Sequence, residues 1–180
     1  MFPYNNRGLV YTAKGSYDRA IKELDAAITL APDYAQAYGN RGIAYDSKGD
    51  YERAIRDYDE AIRLDPENAT FWNERCFERA IIGRLEEALA DCNESIRLEP
   101  DAAETLDSRG LVYLKLGQLD NAIADYDAAL RLDAKLAGSL HGRGMARLKK
   151  GDAAGGNADI TAAKAINPDV AKDFARYGVQ

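Results

Sequence analysis

The chain has 180 residues, 46% of them hydrophobic and 30% charged, with a formal net charge of -6 at pH 7. That balance fits a folding, water-compatible chain and excludes polycation behaviour. No apolar run approaches the roughly 18 residues a membrane-spanning helix needs, and Met1-Phe2-Pro3-Tyr4 lacks the charged-then-apolar pattern of a secretory leader, so a cytoplasmic location is expected.

In chain order, a first helix is expected up to Gly15 and a second up to Pro32. The pair of stops recurs at Gly49 and Pro66, at Gly83 and Pro100, at Gly117, and at Gly151 and Pro168. The five glycines stand 34 residues apart. Glycine tolerates the positive φ that ends a helix, and proline cannot continue one. The copies are 1–34, 35–68, 69–102, 103–136 and 137–170, with residues 171–180 left over. Copy 5 reads as the weakest, because Gly155 and Gly156 stand inside its second helix and each glycine there costs about 1 kcal/mol against alanine. The last ten residues keep the frame, with Phe174 at slot 4 and Gly178 at slot 8. They read as the stub of a sixth first helix, either a cap over copy 5 or the start of a longer array. Copy 1 begins with no cap of its own.

Within the frame, slot 4 holds Tyr4, Tyr38, Trp72, Leu106 and Leu140, and slot 8 holds Gly8, Gly42, Cys76, Gly110 and Gly144. Slot 20 holds Ala20, Ala54, Ala88, Ala122 and Gly156, and slot 24 holds Leu24, Tyr58, Cys92, Tyr126 and Ile160. Small residues at slots 8 and 20 let two helices approach, and large ones at slots 4 and 24 fill the space around the contact. A 34-residue period with this pattern closely resembles the tetratricopeptide repeat, or TPR, across the whole chain. The resemblance implies an all-α, right-handed solenoid, one TPR domain of five repeats and a terminal helix, with first helices lining a concave groove. It also implies a non-catalytic scaffold or adaptor binding a peptide or helix in that groove. The alternatives are an element that self-assembles end to end and the TPR arm of a larger enzyme.

Two recurrences fall outside the usual core slots. Slot 7 is always arginine (Arg7, Arg41, Arg75, Arg109, Arg143), and slot 23 is always acidic (Glu23, Asp57, Asp91, Asp125, Asp159). An ion-pair ladder between first and second helices would explain both. Spacing does not decide whether each arginine meets the acid of its own repeat or of the one before. Slot 9 is always apolar: Leu9, Ile43, Phe77, Leu111 and Met145. This stripe either grips the apolar face of a partner or packs between neighbouring first helices. Asn5, Asn40, Asn73 and Asp107 form a polar rim beside it, with Asn6, Asp46 and Lys115 on further groove slots. Asparagine there can hydrogen-bond a peptide backbone.

Some TPR domains clamp the C-terminal carboxylate of heat-shock chaperones with Lys, Asn, Asn, Lys and Arg. The matching slots from copy 1 hold Asn5, Leu9, Asn40, Thr70 and Glu74, so only Asn40 fits and no such clamp is expected. Repeats 2 to 4 are net negative and would repel phosphates, which argues against nucleic acid. The basic C-terminal end instead suggests steering of an acidic partner or head-to-tail self-association. Cys76 and Cys92 face one contact, either as two buried thiols, the favoured reading, or as a disulfide in an oxidising compartment. His141, the single histidine, reads as polar surface facing the groove. The chain has no Cys-x-x-Cys, His-Glu-x-x-His, Gly-x-Ser-x-Gly or phosphate-loop spacing, so no catalytic residue, cofactor or metal is expected.

Overall fold

The computed structural model describes residues 2–179, with the backbone alone at Phe2. Among them stand eleven helices and no strand. The first helices of successive pairs are α1 (Phe2–Ala13), α3 (Ala35–Ser47), α5 (Ala69–Ile81), α7 (Ala103–Lys115) and α9 (Ala137–Lys149). The second helices are α2 (Tyr17–Leu30), α4 (Tyr51–Leu64), α6 (Leu85–Leu98), α8 (Leu119–Leu132) and α10 (Ala153–Ile166). A short helix, α11 (Val170–Arg176), follows.

The stops act as their chemistry dictates. Gly15, Gly49, Gly83, Gly117 and Gly151 take φ from 71° to 89°. Each lets the next amide donate back to the slot-11 carbonyl, as Ser16 N does to Tyr11 O at 2.8 Å, which satisfies an orphan helix-end acceptor. Asp50 and Asp152 cap α4 and α10 by accepting from Arg53 N and Gly155 N.

Each first helix packs on its own second helix, and each second helix packs on the next first helix. Neighbouring first helices α1 and α3, α5 and α7, and α7 and α9 also touch each other, whereas no comparable contact joins successive second helices. First helices therefore lie on the inner, tighter side of the curve, and their outward slots line a concave groove. Slot 8 meets slot 24 at the core of each pair. A Cβ on Gly42 would lie 2.8 Å from the ring of Tyr58, which is fully buried. Where that glycine–tyrosine pair is replaced, Cys76 and Cys92 stand with Cα atoms 5.4 Å apart and are joined by a disulfide rather than left as thiols. In the last pair, Gly144 and Gly156 bring α9 and α10 into backbone contact, since a Cβ on Gly156 would sit 2.8 Å from the Gly144 carbonyl oxygen. The glycines of copy 5 thus tighten a contact instead of only weakening a helix.

Residues after Asn167 depart from the repeat. Gly178 takes φ 77° and Val179 N donates to Phe174 O, so this glycine terminates α11 as the slot-15 glycines terminate first helices. It does not act as a slot-8 packing glycine. From its origin beside α9 and α10, α11 folds over the inner face toward α7 and α5, burying Val170, Phe174 and Val179.

Candidate binding groove

The ladder is a set of forks. Arg41 donates through Nε and Nη2 to both oxygens of Asp57 at 2.8 and 2.6 Å, and Arg75, Arg109 and Arg143 do the same to Asp91, Asp125 and Asp159. Each pair lies within one repeat. Arg7 meets Glu23 with a longer-stemmed acid, at 2.9 Å from Nε. The third arm, Nη1, reaches the repeat before: Arg41 to Asp25, Arg75 to Asp59, Arg109 to Asn93 and Arg143 to Asp127. These slot-25 acceptors recur with the same period, and Asp59 and Asp127 are the second acids of the Asp57-Tyr58-Asp59 and Asp125-Tyr126-Asp127 triplets. Arg79 and Arg147, which replace tyrosine at slot 11, add donors to Asp91 and Asp159. The inner carboxylates are buried, and burial lifts the Asp57 carboxyl above its usual range despite the facing Arg41.

The asparagine rim is turned inward. Asn40 Nδ2 donates to Asn5 Oδ1 at 2.8 Å, and both side chains are buried between α1 and α3. They join helices rather than offering free groups to a peptide. Asn73 differs, because its Oδ1 is buried with no protein partner and it lines a cleft of about 320 Å³ with Glu74, Glu99, Asp101 and Glu104. Asp107 accepts from Ser139 Oγ at 2.6 Å, and burial pushes its carboxyl up to about 6.

The slot-9 stripe divides in two. Leu9 and Ile43 are 42% and 37% exposed on the open half of the groove. Leu111 is only 2% exposed, and Phe77 and Met145 are half-buried. The cover over Phe77 is Tyr177, edge-on at 5.1 Å between ring centres. His141 is also covered, with Phe174 at 4.7 Å, and burial lowers its pKa, so it is not polar surface. Lys115 Nζ donates to Tyr177 O at 2.6 Å and to Ala80 O at 2.5 Å, placing one cation on the carbonyl ends of α11 and α5.

Between the open and covered halves lies a carboxylate cluster. Glu78 is fully buried, and neither of its oxygens has a partner at hydrogen-bond geometry. Burial, then the charge of Asp46, pushes its carboxyl up to about 9. Burial and Asp46 likewise bring Glu74 to about 7. Here α3 and α5 approach least closely among neighbouring first helices. Slot 10 otherwise holds Val10, Ala44, Val112 and Ala146, so an acid at position 78 was a readable signal that sequence reasoning missed.

This paired-helix geometry has matching family models. The tetratricopeptide repeat model matches residues 35–68, and a TPR repeat model matches 8–47 and 110–151, together more than half of the chain. The chain belongs to the TPR family. Among solved TPR structures, MamA from Desulfovibrio magneticus RS-1 superposes with a TM-score of 0.78 at 21% identity, covering 92% of this chain and 94% of that one. TTC0263, a thermophilic TPR protein of Thermus thermophilus, gives 0.78 at 22% identity, over 98% and 96%. YrrB, described as a TPR protein with an unusual peptide-binding site, gives 0.70 at 22% identity, over 97% and 91%. At such identities these likenesses speak for the fold. No curated protein matches the chain by sequence.

Proposed function

We propose that this TPR chain is a non-catalytic interaction scaffold whose concave groove binds a peptide or helix of a partner protein. One observation carries the reading: Leu9 and Ile43 stay exposed on the open half of the groove, and on the next first helix Asn73 and Glu74 line a cleft with Glu99, Asp101 and Glu104. Exposed apolar side chains and a buried acceptor without a protein partner, Asn73 Oδ1, are poorly satisfied alone and well satisfied by a complementary partner. YrrB, alike in fold, is described as having a peptide-binding site, which supports the same class of ligand here.

The test is capture of partners by the wild type and by Leu9→Ser/Ile43→Ser, followed by cross-linking mass spectrometry. Both side chains are exposed, so helicity should persist. Partner cross-links on α1, α3 and α5 that vanish in the variant support the groove. Cross-links confined to second helices refute it. Ile43, Phe77 and Leu111 together make a poorer probe, because Leu111 is core and Phe77 packs on Tyr177.

A second reading, end-to-end self-association, is favoured by α1, where Val10 is 51% exposed beside Leu9. A strict monomer by light scattering across concentration removes it. The Cys76–Cys92 bridge supports an oxidising compartment in place of the cytoplasmic expectation. Two alkylatable thiols in protein isolated without reductant would reverse that reading.

A further inference from the structure

We infer that the groove selects a segment carrying two aromatic side chains three residues apart and a neighbouring basic residue, and that the chain's own C-terminal helix α11 occupies part of that place in cis. The inference rests on the groove-binding reading and names its ligand.

The cis occupant shows what the groove accepts. Phe174 and Tyr177 lie on one face of the α11 turn, 5.9 Å apart between ring centres. Phe174 seats on His141, and Tyr177 seats on Phe77. Both seats are first-helix groove slots. Aromatic residues supply most of the apolar area in such contacts. Lys115 fixes the carbonyl end of the same segment.

Between these aromatics and the open half stands Arg176. Its guanidinium lies over the Tyr177 ring at 5.4 Å and pairs with Asp173 at 3.8 Å. It stands near enough to Asp46 and Glu78 for its charge to act on both, without an ion pair to either. Facing that cluster are Asp46, Glu74, Glu78, Tyr51, Tyr58 and Arg176. Only one of these is cationic. A buried carboxylate without a partner is costly, so the cluster holds protons or takes a cation. A partner segment that places a Lys or Arg head on Asp46, which is only half-buried, satisfies the cluster, and Glu74, Glu99, Asp101 and Glu104 line a further acidic cleft on the same face.

The cis helix is built to be displaced. It has seven residues, and Ala171, Lys172, Ala175 and Arg176 are exposed. A tethered occupant acts at an effective concentration on the order of mM, so it weakens an outside segment until removed.

The experiment uses the full chain and, as probe, a fluorescein-labelled peptide with the sequence of residues 168–179, read by anisotropy. The chains are wild type, Phe174→Ala/Tyr177→Ala, and Gly178→Val, which strains the positive-φ turn after α11 while leaving the aromatics and the groove unchanged. Circular dichroism confirms folding of each. The peptide should bind the double variant at least about tenfold more tightly than wild type, with Gly178→Val between them. Arg176→Glu in the peptide, or Asp46→Asn added to the double variant, should cost about tenfold or more. Equal binding to wild type and both variants, or no binding to any chain, overturns the cis occupancy. Binding indifferent to both charge changes overturns the basic-partner chemistry. Wild type that dimerises with concentration and is dissolved by the peptide would place α11 in a second copy, also against the inference. Partner cross-links on α1, α3 and α5 that ignore Asp46→Asn and α11 would sink this inference and leave the groove reading standing.

Discussion

Replacing Arg109 by alanine should be among the most damaging single changes in the ladder, alongside Arg41, whose partner Asp57 likewise has a tyrosine, Tyr45, at slot 11. Its guanidinium gives two hydrogen bonds to Asp125, at 2.7 and 2.8 Å, and one to Asn93 at 2.9 Å. Asp125 is 7% exposed and has no second arginine, because slot 11 of that repeat is Tyr113. Removing Arg109 therefore leaves a buried carboxylate uncompensated, which costs about 3–5 kcal/mol. Arg75→Ala should cost less, since Asp91 keeps Arg79 Nη1 at 2.6 Å. Arg7→Ala should cost about 0–1 kcal/mol, because the Arg7 side chain is 51% exposed and its pair is solvent-screened. Urea unfolding followed by circular dichroism gives the three values, and Arg109→Ala/Asp125→Ala should recover part of the loss. Equal losses at the three arginines, or strict additivity in the double mutant, would refute the reasoning.

The carboxylate cluster makes stability depend on pH. The folded pKa values of Glu78 and Glu74, about 9 and about 7, lie above their unfolded values. Their contribution is therefore complete below about pH 4.5 and is lost from there up to about pH 7 for Glu74 and about pH 9 for Glu78, by up to about 1.4 kcal/mol per unit for each group. Urea midpoints should fall over that window, and Glu78→Gln should flatten the fall; a rising curve would contradict the burial of Glu78. Reducing the Cys76–Cys92 bridge, which closes a loop of sequence separation 16, should lower stability by about 3 kcal/mol, and unfolding curves unchanged by reductant would contradict it. Gly142→Ala should destabilise by about 1–3 kcal/mol, because its Cβ would lie 2.3 Å from Cζ of the fully buried Tyr126, and an unchanged melting temperature would show that the ring can yield.

The repeat was legible because backbone chemistry repeats with it. Glycines at fixed spacing need positive φ, and slots 8 and 24 must be complementary in size, so both patterns stand in the sequence. The recurring arginines and acids were equally visible, but which acid each arginine meets depends on helix crossing, which spacing does not encode. The groove was read less well. Asn5 and Asn40 share their slots with groove-facing residues elsewhere, and only three-dimensional proximity turns them toward each other. Gly178 fell in a packing slot, and its role changed because the chain turns over the groove instead of continuing the stack. Glu78 was the most accessible missed signal, an acid in a slot that is otherwise small or apolar.

Hydrogen–deuterium exchange on the full chain, with and without a captured partner segment, tests the groove most directly. Binding in the groove predicts new protection in α3 and α5 together with faster exchange in residues 170–179, as the partner takes the place of α11. Protection confined to α4, α6 and α8, with residues 170–179 unchanged, would contradict it.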